Sequence, residues 1–289
     1  MLKNTFQHIT GIGATIEKQL WSSGITDWYK LKEPCIAKLS PKKIGILNHF
    51  VKESIDNFET NNPCYFSNLL KLNQHWRLFR EFRNDMVFLD IETTGLDAHY
   101  NRITTIATYD GKNINYYIDG QNLNKFIDDI KKYKVIVTYN GRSFDIPFIE
   151  TFFKTKLKIA HIDLRYILKS LGFGGGLKGC ERSLGICRGD LNGVDGFFAV
   201  LLWKDYNKKN NNKALETLLA YNIEDVVNLE MLMVMSYNMK LKDTPFYDTH
   251  KIPLPSKPVI PFQADVATIK KIKKDSLSSI PWHNWNAGN

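Results

Sequence analysis

Between residues 86 and 163 short apolar runs recur, each bounded by turn-forming residues. MVFLDIE, RITTIATYD, NINYYID, KVIVTYN and KIAHID predict strands. Longer stretches with apolar residues three and four apart predict helices. These are LNKFIDDIKKY, Phe144 to about Phe153, a segment beginning near Leu164, and a long segment from about Ala214 to Met235. A glycine-rich break, Gly172 to Gly176, separates the last two. The first strands follow one another as a meander and the later ones alternate with helices, which predicts a mixed sheet with helices on its faces. Upstream, residues 1 to 80 read as helical. Gly11, Gly13 and Gly24 punctuate them, Ile16, Leu20 and Trp21 recur at helical spacing, and a helix is expected from Phe66 to Phe82. Downstream of about Lys240 lie six of the ten prolines: Pro245, Pro253, Pro255, Pro258, Pro261 and Pro281. That segment, with its IKKIKKD run and terminal WHNWNAGN, predicts an extended arm with one short helix around Ala264 to Lys274.

Three units follow from this pattern: a helical segment 1–80, an α/β domain 81–240 and a proline-rich basic arm 241–289. A chain of 289 residues is long enough for two domains, and 43% hydrophobic with 24% charged residues is a globular composition. No apolar run approaches the about 20 residues a membrane span needs, and the polar start lacks the apolar centre of a signal peptide. Cys35, Cys64, Cys180 and Cys187 form no C-x-x-C pair, so reduced thiols in a cytoplasmic protein are expected. The net charge of +9 is unevenly spread: +5 over residues 1–80, +1 over 81–240 and +3 over 241–289. Basic flanks around a near-neutral centre suit a polyanionic partner, and nucleic acid foremost. A lysine-rich solvated surface would give the same count.

Three small constellations carry candidate chemistry. Asp90 and Glu92 are two apart in VFLDIETTGL, so a strand presents both on one face while Leu89 and Ile91 turn the other way. Adjacent acids on one face repel unless a cation joins them, which suggests a divalent metal; on an edge strand they would be ordinary surface charges. In YNGRSFDIPF, Asp145 follows a strand end and opens a helix, where open α/β sheets place ligands and where aspartates also serve as helix caps. Asn140 begins the turn between them. In YNIEDVV, Tyr221 and Asp225 are four apart and share a helix face, whereas Glu224 is rotated about 100° away. The same pair would also be read as a core aromatic and a solvated acid.

In order and spacing the three blocks resemble exonuclease motifs I, II and III of the DEDD superfamily: D-x-E at Asp90 to Glu92, N-x-x-x-F-D at Asn140 to Asp145, and Y-x-x-x-D at Tyr221 to Asp225. Ala220 stands where the histidine subtype carries its histidine, so the chain resembles the DnaQ-like tyrosine subtype. LDIETTGL, YNGRSFDIPF, GGLKGCERSLGI and YNIEDVVNLE are also similar to the YprB-like branch of ribonuclease H-like proteins. The resemblance covers roughly residues 85–240. It implies a ribonuclease H-like mixed sheet and a two-metal nuclease removing nucleotides 3′→5′. Asp90 would bridge two ions, Glu92 and Asp225 would complete the water-activating site, Asp145 would hold the second ion, and Tyr221 would orient the nucleophile. Hard oxygen donors suit Mg²⁺ or Mn²⁺ and disfavour zinc.

HITGIGATIEKQLWSSGITDWYKL resembles a helix-hairpin-helix element. In that likeness Gly11 and Gly13 let a phosphate approach the following helix start, although fewer than ten residues precede the hairpin; a simple helical turn with two glycines is the alternative. Thr94, Asn140 and Lys178 are further candidates for contacting nucleic acid. Arg77, Arg80 and Arg83, three apart beside Trp76, form either a basic edge or a solvated helix face. Asp163 is expected as a helix cap, with a fifth metal-proximal acid as the alternative, and His161 as a structural residue. Gly174, Gly176 and Gly179 match G-x-G-x-x-G without the strand and the acidic partner a dinucleotide site requires, and instead lead into a helix with Leu177, Cys180, Glu181 and Leu184. The expected activity is therefore a Mg²⁺- or Mn²⁺-dependent 3′→5′ exonuclease, with DNA favoured over RNA as partner and no membrane involved. A structure-selective endonuclease, an RNA exonuclease and a catalytically weak nucleic-acid-binding adaptor are the alternatives.

Overall fold

The structure, a computed structural model, describes residues 1–31 and 39–278, with side chains through 276. Cys35, Pro281 and the terminal WHNWNAGN lie outside the described residues. Five strands form one sheet: β1 (Met86–Thr93), β2 (Ile103–Tyr109), β3 (Ile114–Ile118), β4 (Val135–Thr138) and β5 (Ala160–Asp163). Their order is β3-β2-β1-β4-β5, with β1–β2 and β2–β3 antiparallel and β1–β4 and β4–β5 parallel. This is the mixed sheet of a ribonuclease H-like fold. β1 is its central strand, buried along almost its whole length, which explains the near-continuous apolar run Met86 to Leu89. Period two divides that strand. Val87, Leu89 and Ile91 pack with Phe126, Phe148 and Ile149 on one face, while Met86 and Phe88 join a second core on the other. Asp90 and Glu92 share that second face.

The helices on the sheet are α5 (Phe126–Asp129), α6 (Asp145–Phe152), α7 (Leu164–Ser170), α8 (Gly176–Ser183), α9 (Gly196–Lys209) and α10 (Asn212–Leu241), and ahead of them stand α1 (Ala14–Ser22), α2 (Pro41–Glu59), α3 (Pro63–Leu69) and α4 (Phe79–Phe82). α10 packs on β1, β2 and α9. It runs six residues beyond the expected end at Met235, because Tyr237 and Leu241 are fully buried and extend its apolar face. α9 has no counterpart among the expected elements; Phe198, Ala199, Leu202 and Trp203 bury against α10, and Asp195 caps the helix by accepting from Phe198 N at 2.8 Å. α8 begins where the glycine-rich break ends. It approaches the preceding loop so closely that a Cβ on Gly179 would lie 2.6 Å from the Gly174 carbonyl oxygen.

Two sequence expectations upstream need correction. The single helix over Phe66 to Phe82 is three pieces: α3, a 3₁₀ stretch Leu72–Leu78, and α4. Leu70 is extended, and the buried His75 ring is held by the Leu70 and His161 carbonyls, so the chain turns under β5 instead of continuing one helix. The basic edge is also absent. Arg77 is buried and pairs with Glu17 at 2.8 Å, while Arg83 reaches Glu230 at 2.6 Å. Apolar spacing around Trp76 buries the side of this segment that carries Arg77, so the arginine needs an internal acid.

Glu17, on α1, also accepts from the Phe6 amide at 2.8 Å and from Gln7 at 2.6 Å. The N-terminal residues Leu2, Phe6, Ile9 and Ile12 belong to the same apolar core as Phe88, Val137 and Tyr237. After α10 come α11 (Tyr247–His250), a stretch without regular structure, and α12 (Val266–Ser278). The extended part is fastened to α10: Asn238 exchanges two hydrogen bonds with the Ile252 backbone at 2.7 and 2.9 Å, and Lys257 pairs with Glu224 at 2.5 Å. Among the described residues no helix is long and apolar enough to cross a membrane.

Removing one partner of a buried ion pair leaves the other charge uncompensated, at a cost of about 3–5 kcal/mol. Arg77→Met should therefore lower the unfolding free energy by about that amount, read as a lower urea midpoint. Arg77→Met combined with Glu17→Gln should recover much of the loss. A single variant as stable as the parent would show that the pair does not hold the first helix to the turns that lead into β1.

Candidate functional site

The site is built from three places in the chain. β1 supplies Asp90 and Glu92, and a register shift between Glu92 and Thr93 ends its regular pairing with β2 immediately beyond them. α10 crosses the same face and supplies Tyr221, Asn222 and Asp225. The turn after β4 delivers Asp145 as the first residue of α6. One oxygen each from Asp90, Glu92 and Asp225 lie within 4.8 Å of one another. Such a cluster of hard oxygen donors can hold a divalent cation. Asp145 lies outside that triad but beside it: its Oδ1 accepts from the Ile91 amide at 3.2 Å, inside the D-x-E segment. This bond, and the absence of a side-chain cap at the helix start, show that Asp145 is not the N-cap of α6.

Burial and mutual repulsion act on these acids together. Burial raises the Asp90 carboxyl well above the usual range, reinforced by Asp225, Asp145 and Glu92, and the amide of Asn222, 2.7 Å away, works against this. Glu92 is raised for the same reasons, with Lys178 and Arg188 opposing. Asp145 is raised to about 7, chiefly by burial. The Tyr221 phenol is pushed far up by burial and by Asp225, Glu92 and Asp90, so its proton stays on.

Two cations answer the acids. Lys178, on α8, donates to the Tyr221 hydroxyl at 2.8 Å and to the Val194 carbonyl, and sits 4.5 Å from the Tyr221 ring centre. Arg188, in the loop between α8 and α9, pairs with Asp225 and forks onto Glu181 at 2.6 and 2.7 Å. Arg188 and Glu181 carry no recognisable spacing in the sequence, because α8 ends at Ser183 and the loop that returns Arg188 has no period. Asn222 lies between motif residues. Its side chain bridges Asp90 and Thr105 of β2, a role only the packing of α10 on the sheet could reveal.

The other candidates are placed as follows. Glu224 is turned to Lys257, away from the triad. Asp163 caps α7 and holds the turn after β4, accepting from the amides of Arg165, Asn140 and Arg142 at 3.0, 2.8 and 3.1 Å. Asn140 adopts φ 64° in that turn, and its side-chain oxygen accepts from Ser143 at 2.8 Å and from Arg165. Thr94 closes the loop after β1, accepting from the Arg102 amide at 3.0 Å. His161 is structural: its ring meets Thr138 at 2.8 Å, and burial lowers its pKa to about 3. Gly11, with φ 81°, and Gly13 form an exposed turn into α1, preceded only by a 3₁₀ turn, Leu2–Asn4.

Fold and site together define a class. Residues 87–237, just over half of the chain, match the RNase_H_2 family model of the RNase_H superfamily, and the chain belongs to that family. It therefore carries a ribonuclease H-like nuclease fold. No curated protein sequence matches the chain. Similar solved structures include the family B DNA polymerase of the archaeon Pyrobaculum calidifontis, with 18% identity, a TM-score of 0.41, and 54% of this chain and 24% of the polymerase covered. Another is NrnC of Brucella melitensis with bound Mg²⁺, with 16% identity, a TM-score of 0.30, and 61% of this chain and 93% of NrnC covered. The chain thus spans about a quarter of the polymerase's length.

A carboxyl group whose pKa is raised on folding binds its proton more tightly in the native state, so stability falls as pH climbs from the unfolded pKa through the folded one. With Asp145 near 7 and Asp90 and Glu92 also raised, the metal-free protein should lose stability between about pH 4 and 7.5. In EDTA the Tm at pH 8 should lie about 5 °C or more below that at pH 5.5, and Mn²⁺ should restore it at pH 8 far more than at pH 5.5. Equal Tm values at the two pH values would contradict the raised carboxyl pKa values that burial, with mutual repulsion, gives these acids.

Proposed function

We propose that the protein is a divalent-metal-dependent 3′→5′ exonuclease of the tyrosine-containing DEDD type, with DNA as the favoured substrate. The observation carrying this reading is the meeting of Asp90, Glu92 and Asp225 at ligand distance, beside Asp145 and Tyr221, on the central strand of a ribonuclease H-like sheet. Asp90, Glu92, Asp145 and Asp225 would hold Mg²⁺ or Mn²⁺. Their charge supports two ions: with Glu181 there are five carboxylates against Lys178 and Arg188, so one divalent ion leaves the site negative and a second makes it attractive to a phosphodiester. Bound there, the ions supply positive charge to the attacking and departing oxygens.

Tyr221 acts through its proton. Lys178 donates to the phenol oxygen, which leaves the hydroxyl hydrogen to point elsewhere, and the raised pKa keeps that hydrogen in place. The residue is therefore a hydrogen-bond donor that orients a nucleophilic water, and not its base. The exposed turn at Gly11 and Gly13 is read as a phosphate contact of a helix-hairpin-helix-like segment, which together with the basic flanks would supply affinity while the central domain supplies chemistry.

Digestion of end-labelled and end-blocked single-stranded and duplex DNA and RNA with Mg²⁺ or Mn²⁺ tests the activity. Stepwise shortening from free 3′ ends is expected. Cleavage of circular or blocked substrates would replace the exonuclease reading by an endonuclease. Asp90→Asn should abolish hydrolysis with the fold retained, and Tyr221→Phe should slow single turnover by about 10²- to 10⁴-fold. Full activity of either variant would remove that residue from the mechanism.

The N-terminal turn has a cleaner probe in Gly13 than in Gly11. Gly13 adopts φ −94°, and a Cβ there would meet nothing within 4 Å, so Gly13→Leu adds a side chain without backbone strain. It should weaken DNA binding regardless of sequence and reduce the log–log salt slope by about 0.9 for each duplex phosphate that the variant no longer neutralises. An unchanged affinity and slope would make the turn purely structural.

A further inference from the structure

Each aspartate of the site has one oxygen occupied by a donor from the protein, and the donors differ. Asp90 Oδ2 takes the Asn222 amide, Asp145 Oδ1 takes the Ile91 backbone N–H, and Asp225 Oδ1 takes the Arg188 guanidinium. Of the three, Asp225 is the one met by a full charge, and its contact with Arg188 Nη1 is an ion pair without hydrogen-bond geometry. We propose that Arg188 is a positioning residue that fixes Asp225 so that it presents a single oxygen to the metal ions, and that Glu181 is the anchor holding Arg188 in place. The proposal rests on the nuclease reading and adds to it a residue outside the three motifs.

Arg188 and Glu181 are 7% and 1% exposed, so neither is a surface ion pair of negligible weight. Glu181 receives two of the guanidinium's nitrogens, Nε at 2.6 Å and a terminal nitrogen at 2.7 Å. A fork of this kind fixes the plane of the group and so the direction of its third nitrogen, which is the one on Asp225. Glu181 is held in turn by Asn228, whose amide donates to it at 3.0 Å from α10, the helix that carries Asp225. The ring of bonds closes from α10 through Asn228, Glu181 and Arg188 back to Asp225 on the same helix. With Oδ1 facing the guanidinium, Asp225 has its other oxygen left to offer. A lysine could supply the charge but not the fork.

The opposite role is that Arg188 merely stands where an ion would sit and is displaced by it. The two roles predict opposite changes in metal affinity. Mn²⁺ binding to the full chain, followed by the electron paramagnetic resonance of free Mn²⁺ at fixed pH, should be compared for wild type, Arg188→Met, Arg188→Lys and Glu181→Gln, with circular dichroism confirming the fold. Positioning predicts that Arg188→Met weakens Mn²⁺ binding by about 10- to 100-fold. Arg188→Lys should weaken it nearly as much, and Glu181→Gln, which keeps shape but loses charge, by less in the same direction. In turnover assays the Mn²⁺ concentration for half-maximal rate should rise, while the rate at saturating Mn²⁺ largely recovers. Unchanged affinity in Glu181→Gln and Arg188→Lys, or tighter binding in either arginine variant, would overturn the proposal. Should Arg188→Met fail to fold, the Lys and Gln variants still decide it. If wild type itself binds no Mn²⁺, the nuclease reading falls and takes this inference with it.

Discussion

Carboxylates buried within ligand distance of one another repel strongly, and the rest of the molecule is arranged around that repulsion. Asp90 and Glu92 are held together by the pleat of a central strand, which cannot bend away because strands pair with it on both sides. Asp225 is held against them by a thirty-residue helix packed on the same sheet. In water such acids would separate or share a proton; inside the fold they are constrained to wait for positive charge. Lys178 and Arg188 meet part of that demand, and divalent ions would meet the remainder.

The distribution of internal ion pairs follows from the same constraint. α10 must be immobile if Asp225 is to face β1 reproducibly, and it is secured along its length. Asn222 ties it to β1 and β2, Asn228 to Glu181, Glu224 to Lys257 of the C-terminal segment, and Asn238 to the Ile252 backbone. Segments outside the sheet thus contribute to the site without touching it. At the N-terminal end the Arg77–Glu17 pair performs the equivalent task for α1, joining the first helix to the turns that lead into β1.

Much of this architecture is legible in the amino-acid sequence. Short runs rich in apolar, β-branched and aromatic residues between turn formers locate all five strands, and their hairpin-then-crossover order implies the sheet type. Helical spacing pairs Tyr221 with Asp225 and sets Glu224 aside, which its contact with Lys257 accords with. Local patterns mislead where an environment outside the local segment decides the outcome. The stretch from Phe66 to Phe82 has helical spacing, yet carbonyls at Leu70 and His161 fold it into turns, and Arg77 looks like a surface charge until its burial against Glu17 is seen. α9 escapes the sequence pattern although its buried residues are plainly apolar.

Sequence alone determined which polar groups share a face: the D-x-E pair and the tyrosine and aspartate one helical turn apart are local facts, since strand and helix periods fix such neighbours. Tertiary structure alone decided what surrounds them. Lys178 on Tyr221, Arg188 on Asp225 and Asn222 on Asp90 each link residues from separate elements or from loops without a period. Periodicity reports only on a residue's own element, whereas a charge's partner is set by how elements pack. For that reason the acids could be read from the chain, and the groups that restrain them could not.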